Sequence, residues 1–528
     1  MMLTEWCPSW SKEQHWKCCS GATRSWVRIP ATPPVPLPHG KHLKKRLLHH
    51  TFRATRLLIW AAIAVAVIAA LAIEYRIHLA NEWQQHVSLP AAPVHKRGDR
   101  VIVFAPHSDD ETLGCGGMLA TAVDNGASVR VVLVTNGDGF RIAVGRAYKT
   151  LRVTPQRCIE FAYTRQSETL RALATLGVRG KQVTFLGYPD RGIDQLWSKY
   201  WSPDKLLVSR ATHADHSPYS NSFTPRVSYC GESLLNDIEK VIEAEKPTDV
   251  YVPHPCDNHP DHYATYCFVA AAIEQLRAEG DAKNMKVHTY LVHRGDWPTP
   301  KGDHPEELVV PPYALAQAGT KWYSLALSPD IAARKRSAIK DYRTQTDMER
   351  SFLMSFARGN ELFGDVPIRR VVTVKPSTIT IDGDPDDWSG IPPAIVDAVG
   401  DYVMTGLNKG GDVRTVYLAC DANYLYVRVD CVRHLVKRIA YSVNLRGLGA
   451  TDSNDRYSVT IRLKSPAVPP HTIWAAKNNI LEIAIPLGKL NFDRNLFAQV
   501  QTKLMNLTVD NTGWQEVEFG RGAESGTH

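Results

Sequence analysis

The chain has 528 residues, 44% of them hydrophobic, which is enough for two to four domains with real apolar cores. Its net charge of +8 does not mark a nucleic-acid binder, because the excess is local. Residues 1–100 hold fourteen Lys/Arg against five Asp/Glu, so residues 101–528 sum to about −1.

Residues 1–56 combine four Trp, the clustered Cys7, Cys18 and Cys19, a Pro-rich run from Pro30 to Pro38 and many basic residues. This composition predicts a disordered segment. Leu57 to Ile73 (LLIWAAIAVAVIAALAI) is uncharged and about the minimum length for a bilayer-spanning helix. Lys41, Lys44, Lys45, Arg46, Arg53 and Arg56 precede it, and only Glu74 and Arg76 follow closely. The positive-inside rule therefore predicts one transmembrane signal-anchor over 57–75, its N-terminus cytoplasmic and the body extracytoplasmic. A cleaved signal peptide is the alternative, and Glu74-Tyr75-Arg76 is a poor cleavage site for one. Residues 76–97 read as a linker.

From residue 98 to 365 the chain alternates strand-like and helix-like pieces. Arg100–Ala105, Ser128–Thr135, Gln182–Gly187, Asp249–Pro253 and Lys286–Val292 read as strands. Helices are expected over Glu111–Asn125, from Thr154-Pro155 to Gly177, around Glu232–Glu245 and from Asp261 to about Ala278. The stretch from about Ile331 to Gly364 reads helical and closes the domain. This alternation predicts an α/β domain with a Rossmann-like, mostly parallel sheet and helices on both faces.

After a linker over 366–374 the pattern changes. Val371–Ile381, Val413–Ala419, Tyr424–Asp430 and Ile480–Ile485 are short and alternating, with turns at Asp382-Gly383 and Asp421–Asn423. Residues 375–528 therefore read as an all-β sandwich. The ten cysteines follow no CxxC spacing, and Cys420 and Cys431, flanking a hairpin, are a candidate disulfide pair.

Two segments carry the chemistry: His107-Ser108-Asp109-Asp110-Glu111 and His259-Pro260-Asp261-His262. Each follows a strand and leads into a helix, where open α/β sheets place their sites. His107 and Asp110 can converge on one ion, with His262 as third ligand from the second loop. Two imidazoles and a carboxylate leave an open position, as in catalytic zinc; the same set suits iron(II). Asp109 stays free as general base toward a metal-bound water that attacks an amide, and His259 is placed to assist the intermediate. Glu111 reads mainly as a helix-start residue.

Ala105 to Gly117 (A-P-H-S-D-D-E-T-L-G-C-G-G), followed by H-P-D-H, resembles the LmbE-like, or PIG-L, deacetylase superfamily, whose first motif usually reads A-H-P-D-D-E. The resemblance covers roughly residues 98–365, including K-x-x-A-I-x-x-Y-x-x-Q from Lys335 to Gln345. It implies zinc-dependent removal of N-acetyl groups from GlcNAc-containing glycans or glycoconjugates. By the same resemblance His107, Asp110 and His262 match the zinc ligands, Asp109 the general base and His259 the residue assisting the tetrahedral intermediate. Arg165 and Asp190 match substrate-binding positions, with Glu168 on the same helix as Arg165. Two departures stand out: Pro106 and Ser108 alter the first motif, and Asp257 occupies a place where some members carry a Tyr. His254 is expected to be structural rather than ligating. Farther along, Ile379 to Trp388 (I-T-I-D-G-D-P-D-D-W) and Leu481 to Leu490 resemble carbohydrate-binding module family 9. Trp388, Trp474 and Trp514 are then candidates for stacking on sugars or for core packing.

The expectation is a membrane-anchored N-deacetylase whose partner is an acetylated amino-sugar glycan. Two other readings stand beside it: a zinc amidase on a non-sugar amide conjugate, and a non-catalytic glycan-binding envelope protein.

Overall fold

The computed structural model describes residues 56–68, 70–71, 75, 82–83, 87–295, 297–401, 409–447, 456–464, 468–490 and 495–520. It separates into two compact units, Met1–Arg76 and Ile77–His528. In the first, residues 56–68 and 70–71 are helical and exposed, Leu57, Trp60 and Ile68 among them. Among the described residues no helix is long and apolar enough to cross a membrane. The anchor expected over 57–75 includes residues 69 and 72–74, which lie outside the described residues, as does all of the basic segment except Arg56.

The second unit begins with β1 (Arg100–Ala105), α1 (Asp110–Asp124), β2 (Ser128–Thr135), α2 (Arg141–Ala147), α3 (Pro155–Thr175), β3 (Val183–Tyr188), α4 (Ile193–Ser198) and α5 (Gly231–Glu245). It continues through β4 (Asp249–Pro253), α6 (Pro260–Glu279), β5 (Lys286–Tyr290), α7 (Tyr313–Ala316), β6 (Lys321–Ala326), α8 (Pro329–Asp341), α9 (Arg343–Met354) and β7 (Asn360–Asp365). Strand order is β3-β2-β1-β4-β5-β7-β6. The first five strands run parallel, and β7 runs antiparallel to both its neighbours, β5 and β6. The central strands carry uninterrupted apolar runs because helices cover both sheet faces. One face packs Leu113, Met118, Leu173 and Ile339 from α1, α3 and α8. The other packs Trp197, Ile238 and Phe268 from α4, α5 and α6. Strand order reverses between β1 and β4, so a crevice opens beyond their carboxyl ends.

The stretch expected to be helical through Gly364 is two helices and then the strand β7. Asn360–Asp365 pairs with β6, a strand the sequence pattern did not reveal. A last helical turn there would leave the edge of β5 unpaired at Thr289, which instead meets Gly364.

The remaining chain forms two six-stranded sheets. Their elements are β8 (Arg369–Arg370), β9 (Val372–Thr373), β10 (Ile395–Val396), β11 (Val413–Cys420), β12 (Tyr424–Cys431), β13 (Ile439–Gly447), β14 (Arg456–Arg462), β15 (Ile473–Lys477), β16 (Ile480–Pro486), β17 (Leu496–Leu504), β18 (Leu507–Asn511) and β19 (Gln515–Glu518). A shared core of Leu418, Val427, Tyr441, Val459, Ile483 and Val500 joins the sheets. The segment expected to be a linker takes part: β8 pairs with β19 in one sheet and β9 with β11 in the other.

Two expectations change here, and a third is settled between its alternatives. Val371–Ile381 is not one strand, because Pro376 brings no backbone donor and Ser377 turns at φ +64°. Cys420 faces Leu425 while Cys431 faces Val413, so the two thiols sit at opposite ends of the hairpin and both are free. Trp388 is 2% exposed and packs beside Tyr417, so it is core rather than a sugar platform. Trp474 packs against the sandwich core, and Trp514 lies 6.2 Å from the Trp197 ring of the α/β domain.

That last contact belongs to a broad seam. Phe497 of β17 lies 5.2 Å from the Trp197 ring and completes the α/β core on that face. The Arg446 guanidinium of β13 sits 3.5 Å above the Trp197 ring and 3.9 Å from the Trp201 ring. Arg446 and Arg456 also donate to the Trp197 and Ser198 carbonyls that end α4.

Candidate metal centre and its pocket

The β1–α1 and β4–α6 loops meet in the crevice. Between β1 and α1 the backbone turns through Asp109 at φ +118°, a conformation in which Asp and Asn are tolerated better than most residues. The Asp109 carbonyl accepts from Thr112 N (3.0 Å) and Leu113 N (2.8 Å), starting the helix. At the second loop His259 caps α6, its Nδ1 accepting from Asp261 N at 3.2 Å, with Pro260 in the first helical turn.

Asp110 Oδ2 lies 3.2 Å from His107 Nδ1 and 3.1 Å from His262 Nε2, so the three expected ligands converge on one point. The outer nitrogens of both rings face other carboxylates. His262 Nδ1 is 3.2 Å from Asp257 Oδ2, and His107 Nε2 is 3.1 Å from Asp261 Oδ2. A ring that donates its outer N–H to a carboxylate keeps the inner nitrogen's lone pair free for a metal. His262 Nε2 is buried and makes no hydrogen bond, which fits a ligand atom. Ligands about 2.0–2.1 Å from a tetrahedral ion stand about 3.3 Å apart, close to the spacings here.

Among the described residues, three overlapping groups offer ligand atoms within 4.8 Å of one another: His107, His259 and His262; Asp110, His262 and His293; and His107, Asp190 and Asp261. Burial opposes charge on His262, yet Asp110 and Asp257 raise it to about 9. Burial also opposes charge on His107, and Asp110, Asp190 and Asp261 raise it well above the ordinary value. The pocket is strongly anionic around its imidazoles and suits a divalent cation.

Asp109 is 8% exposed; burial pushes its carboxyl well above the usual range, against the pull of Arg165 at 3.6 Å. His259 is lowered to about 3 by burial and by the charges at His107 and His262. Because its Nδ1 accepts a hydrogen bond, the neutral ring carries its proton on Nε2 and can donate there. Arg165 is buried, donating to Ser108 O (2.6 Å) and Gly137 O (3.3 Å), so it braces the first loop. Asp190 Oδ1 stands 3.4 Å from His107 Nε2, while Oδ2 accepts from Gly139 N at 2.8 Å. Glu168 is tied to α9, accepting from Thr344 N (3.0 Å) and Oγ1 (2.6 Å).

Glu111 does more than start a helix. It is fully buried, raised to about 7 by burial, and bonded to the Tyr342 hydroxyl and Asp109 N. Lys335 donates to Leu113 O (2.9 Å) and pairs with Glu361 (2.6 Å), which accepts from Gly117 N and Met118 N. The Lys335-to-Gln345 pattern thus grips α1 from behind. His254 accepts from Cys256 N, bonds Thr320 and stacks on Trp322, away from the ligand atoms.

Sequence reasoning gave three residues of the site no role. Asp257 orients His262, Asp261 orients His107, and His293 brings its ring within 4.8 Å of the His262 ring. Asp261 lay inside the H-P-D-H motif, and His293 lies just beyond the carboxyl end of β5, so position alone could have flagged both.

Residues 102–273 match the PIG-L family, described as GlcNAc-PI de-N-acetylase. A 1D-myo-inositol 2-acetamido-2-deoxy-alpha-D-glucopyranoside deacetylase of Mycobacterium sp. (strain KMS) is 30% identical over 178 residues, 34% of this chain and 51% of that protein. An enzyme of the same name from Tsukamurella paurometabola is 26% identical over 262 residues, 47% of this chain and 82% of that protein. The chain therefore spans about half the length of the first of these relatives. The N,N'-diacetylchitobiose deacetylase from Pyrococcus horikoshii aligns at 18% identity over 50% of this chain and 82% of its own, with a TM-score of 0.31.

Proposed function

We propose that this protein is a zinc-dependent N-deacetylase that hydrolyses the acetamido group of an amino sugar in a glycan or glycoconjugate to free amine and acetate. The observation that carries the reading is the convergence of His107 Nδ1 and His262 Nε2 on Asp110 Oδ2 beside Asp109. The matched relatives, named as deacetylases of an acetamido sugar, support the substrate class.

Zinc held by His107, Asp110 and His262, or iron(II) on the same donors, would lend Lewis acidity to the amide carbonyl and to the attacking water. Asp109 takes the proton from that water; a carboxyl raised by burial is a stronger base than an exposed one. His259 Nε2–H donates a hydrogen bond to the oxygen that gains charge, and Asp109 passes the proton it took from the water to the departing amine. Asp257 and Asp261 hold the two ligand rings, and Arg165 holds the loop that carries Asp109. Asp190, beside His107, is the carboxylate assigned to a sugar hydroxyl.

Acetate release from GlcNAc oligomers should cease on chelation and return with zinc. Release that survives chelation refutes the metal mechanism. Asp109→Ala should lower the rate about 10²–10⁴-fold while zinc stays bound; loss of zinc instead would make Asp109 a ligand. Single-pass anchorage with the body outside the cytoplasm is proposed on the Leu57–Ile73 run, and a chain that washes off membranes in carbonate refutes it.

A further inference from the structure

A second cluster of ligand-type side chains lies in the sandwich, where it meets the loop after β5. Asp397, directly after β10, Asp401, and Asp510 of β18 offer carboxylate oxygens within 4.8 Å of one another. Asp397 and Asp510 are each 4% exposed. Their hydrogen bonds account for only part of the cluster. Asp510 accepts from Val413 N at 2.7 Å and Asn511 N at 2.8 Å, and Asp397 Oδ1 accepts from Ala398 N at 2.9 Å. Asp397 Oδ2 and Asp401 Oδ1 are buried and no donor reaches them. Asp412, 3% exposed, adds a fourth carboxylate, which takes the Gly400 amide at 3.2 Å. Among the described residues, the ion pair at this cluster is Asp401 with Arg294.

One guanidinium does not balance these acids. A buried carboxylate oxygen with neither donor nor counter-charge is strongly disfavoured, so the cluster keeps protons or holds a cation. The chemistry of the donors selects the cation: all are hard oxygens, with no imidazole or thiolate. Calcium binds oxygens at about 2.3–2.6 Å, so two of its ligands stand at most about 5 Å apart, which spans this cluster. Magnesium, at about 2.0–2.1 Å, demands near-octahedral geometry and keeps several of its waters, which a cage of protein carboxylates does not suit.

We propose that Asp397, Asp401 and Asp510 form a calcium site that fastens the sandwich to the catalytic domain. Asp401 also holds Arg294, whose Nη1 donates to Cys256 O at 2.8 Å. Arg294 follows His293, whose amide donates to Asp257 Oδ2 at 2.9 Å. A cation at this point steadies the segment that supports Asp257.

The test uses the full chain, stripped with chelator and given back zinc. Equilibrium dialysis against radioactive calcium up to about 1 mM, the range in which extracellular modules bind, should return one calcium per chain. His107→Ala should keep that calcium, and Asp397→Asn and Asp510→Asn should lose it. Asn at 510 still offers an oxygen to Val413 N. No binding by the wild type means the acids hold protons, and overturns the site. Undiminished binding in both Asn variants, or loss in His107→Ala, overturns it as well. Should the Asn variants fail to fold, the wild type decides: calcium should raise its melting temperature by several degrees where magnesium does not. An unmoved melting temperature refutes the proposal.

Discussion

Replacing Asp257 by Asn isolates the orientation of a ligand from the chemistry it serves. Asp257 is 3% exposed, and its two oxygens meet four donors. Oδ2 takes His262 Nδ1 at 3.2 Å, Val292 N at 3.1 Å and His293 N at 2.9 Å, while Oδ1 takes His259 N at 2.9 Å. Asn has one acceptor oxygen. Its best placement keeps that oxygen where three donors meet and turns the amide NH₂ against the His259 N–H. Leaving one buried donor without an acceptor costs about 1–3 kcal/mol, divided between fold and site. Losing a carboxylate behind a ligand histidine typically weakens metal binding about 10–100-fold, or about 1.4–2.7 kcal/mol. Zinc affinity measured by competition with a chromophoric chelator should fall by that factor. Acetate release should be low at limiting zinc and recover at saturating zinc, unlike Asp109→Ala, which zinc cannot rescue. Unchanged zinc affinity would refute the assignment of Asp257 as the group that sets the His262 tautomer.

Other perturbations follow from the packing behind the pocket. A Cβ at Gly114 would lie 2.3 Å from Tyr290 Cδ2, so Gly114→Ala should cost about 1–3 kcal/mol in urea unfolding; an unchanged midpoint would mean Tyr290 moves freely. Lys335→Met strands the buried Glu361 and should cost about 3–5 kcal/mol, with part restored by adding Glu361→Gln; a loss below about 1 kcal/mol would remove the pair from the account. Burial opposes charge on His288, but Asp249 and Asp365, each 3.0 Å away, raise its pKa. A raised histidine gives stability that is full below its unfolded value and is lost as pH rises through the folded one. His288→Gln should therefore destabilise more at about pH 6 than at about pH 9; equal loss at both would refute the charged pairing.

The parallel core was legible because burial on both faces writes itself as apolar runs. Arg100–Ala105, Ser128–Thr135 and Asp249–Pro253 begin and end where read. The edge was not legible: NELFGD and KWYSLA are short and mix polar with apolar residues, and only their pairing with each other makes them strands. In the sandwich, Val413–Ala419 and Tyr424–Asp430 showed alternation and each strand runs one residue farther, whereas β8 and β9 are two residues each and too short for any period. The two candidate loops could be read because each pairs chemistry-bearing residues three apart, His107 with Asp110 and His259 with His262, on a strand-to-helix turn. Asp257 could not, since an acid between a strand and an H-P-D-H motif has no local signature; it acquires its role only when β5 brings Val292 and His293 against it.

Arg446, pressed between two indoles, makes the second half of the chain a wall of the first. Shortening the gene after β7 would strip that cation, Phe497 and Trp514 from Trp197 and leave a greasy face open to water. Any smaller version meant for expression needs those contacts rebuilt, and a swapped-in sandwich from another protein would have to supply the same wedge.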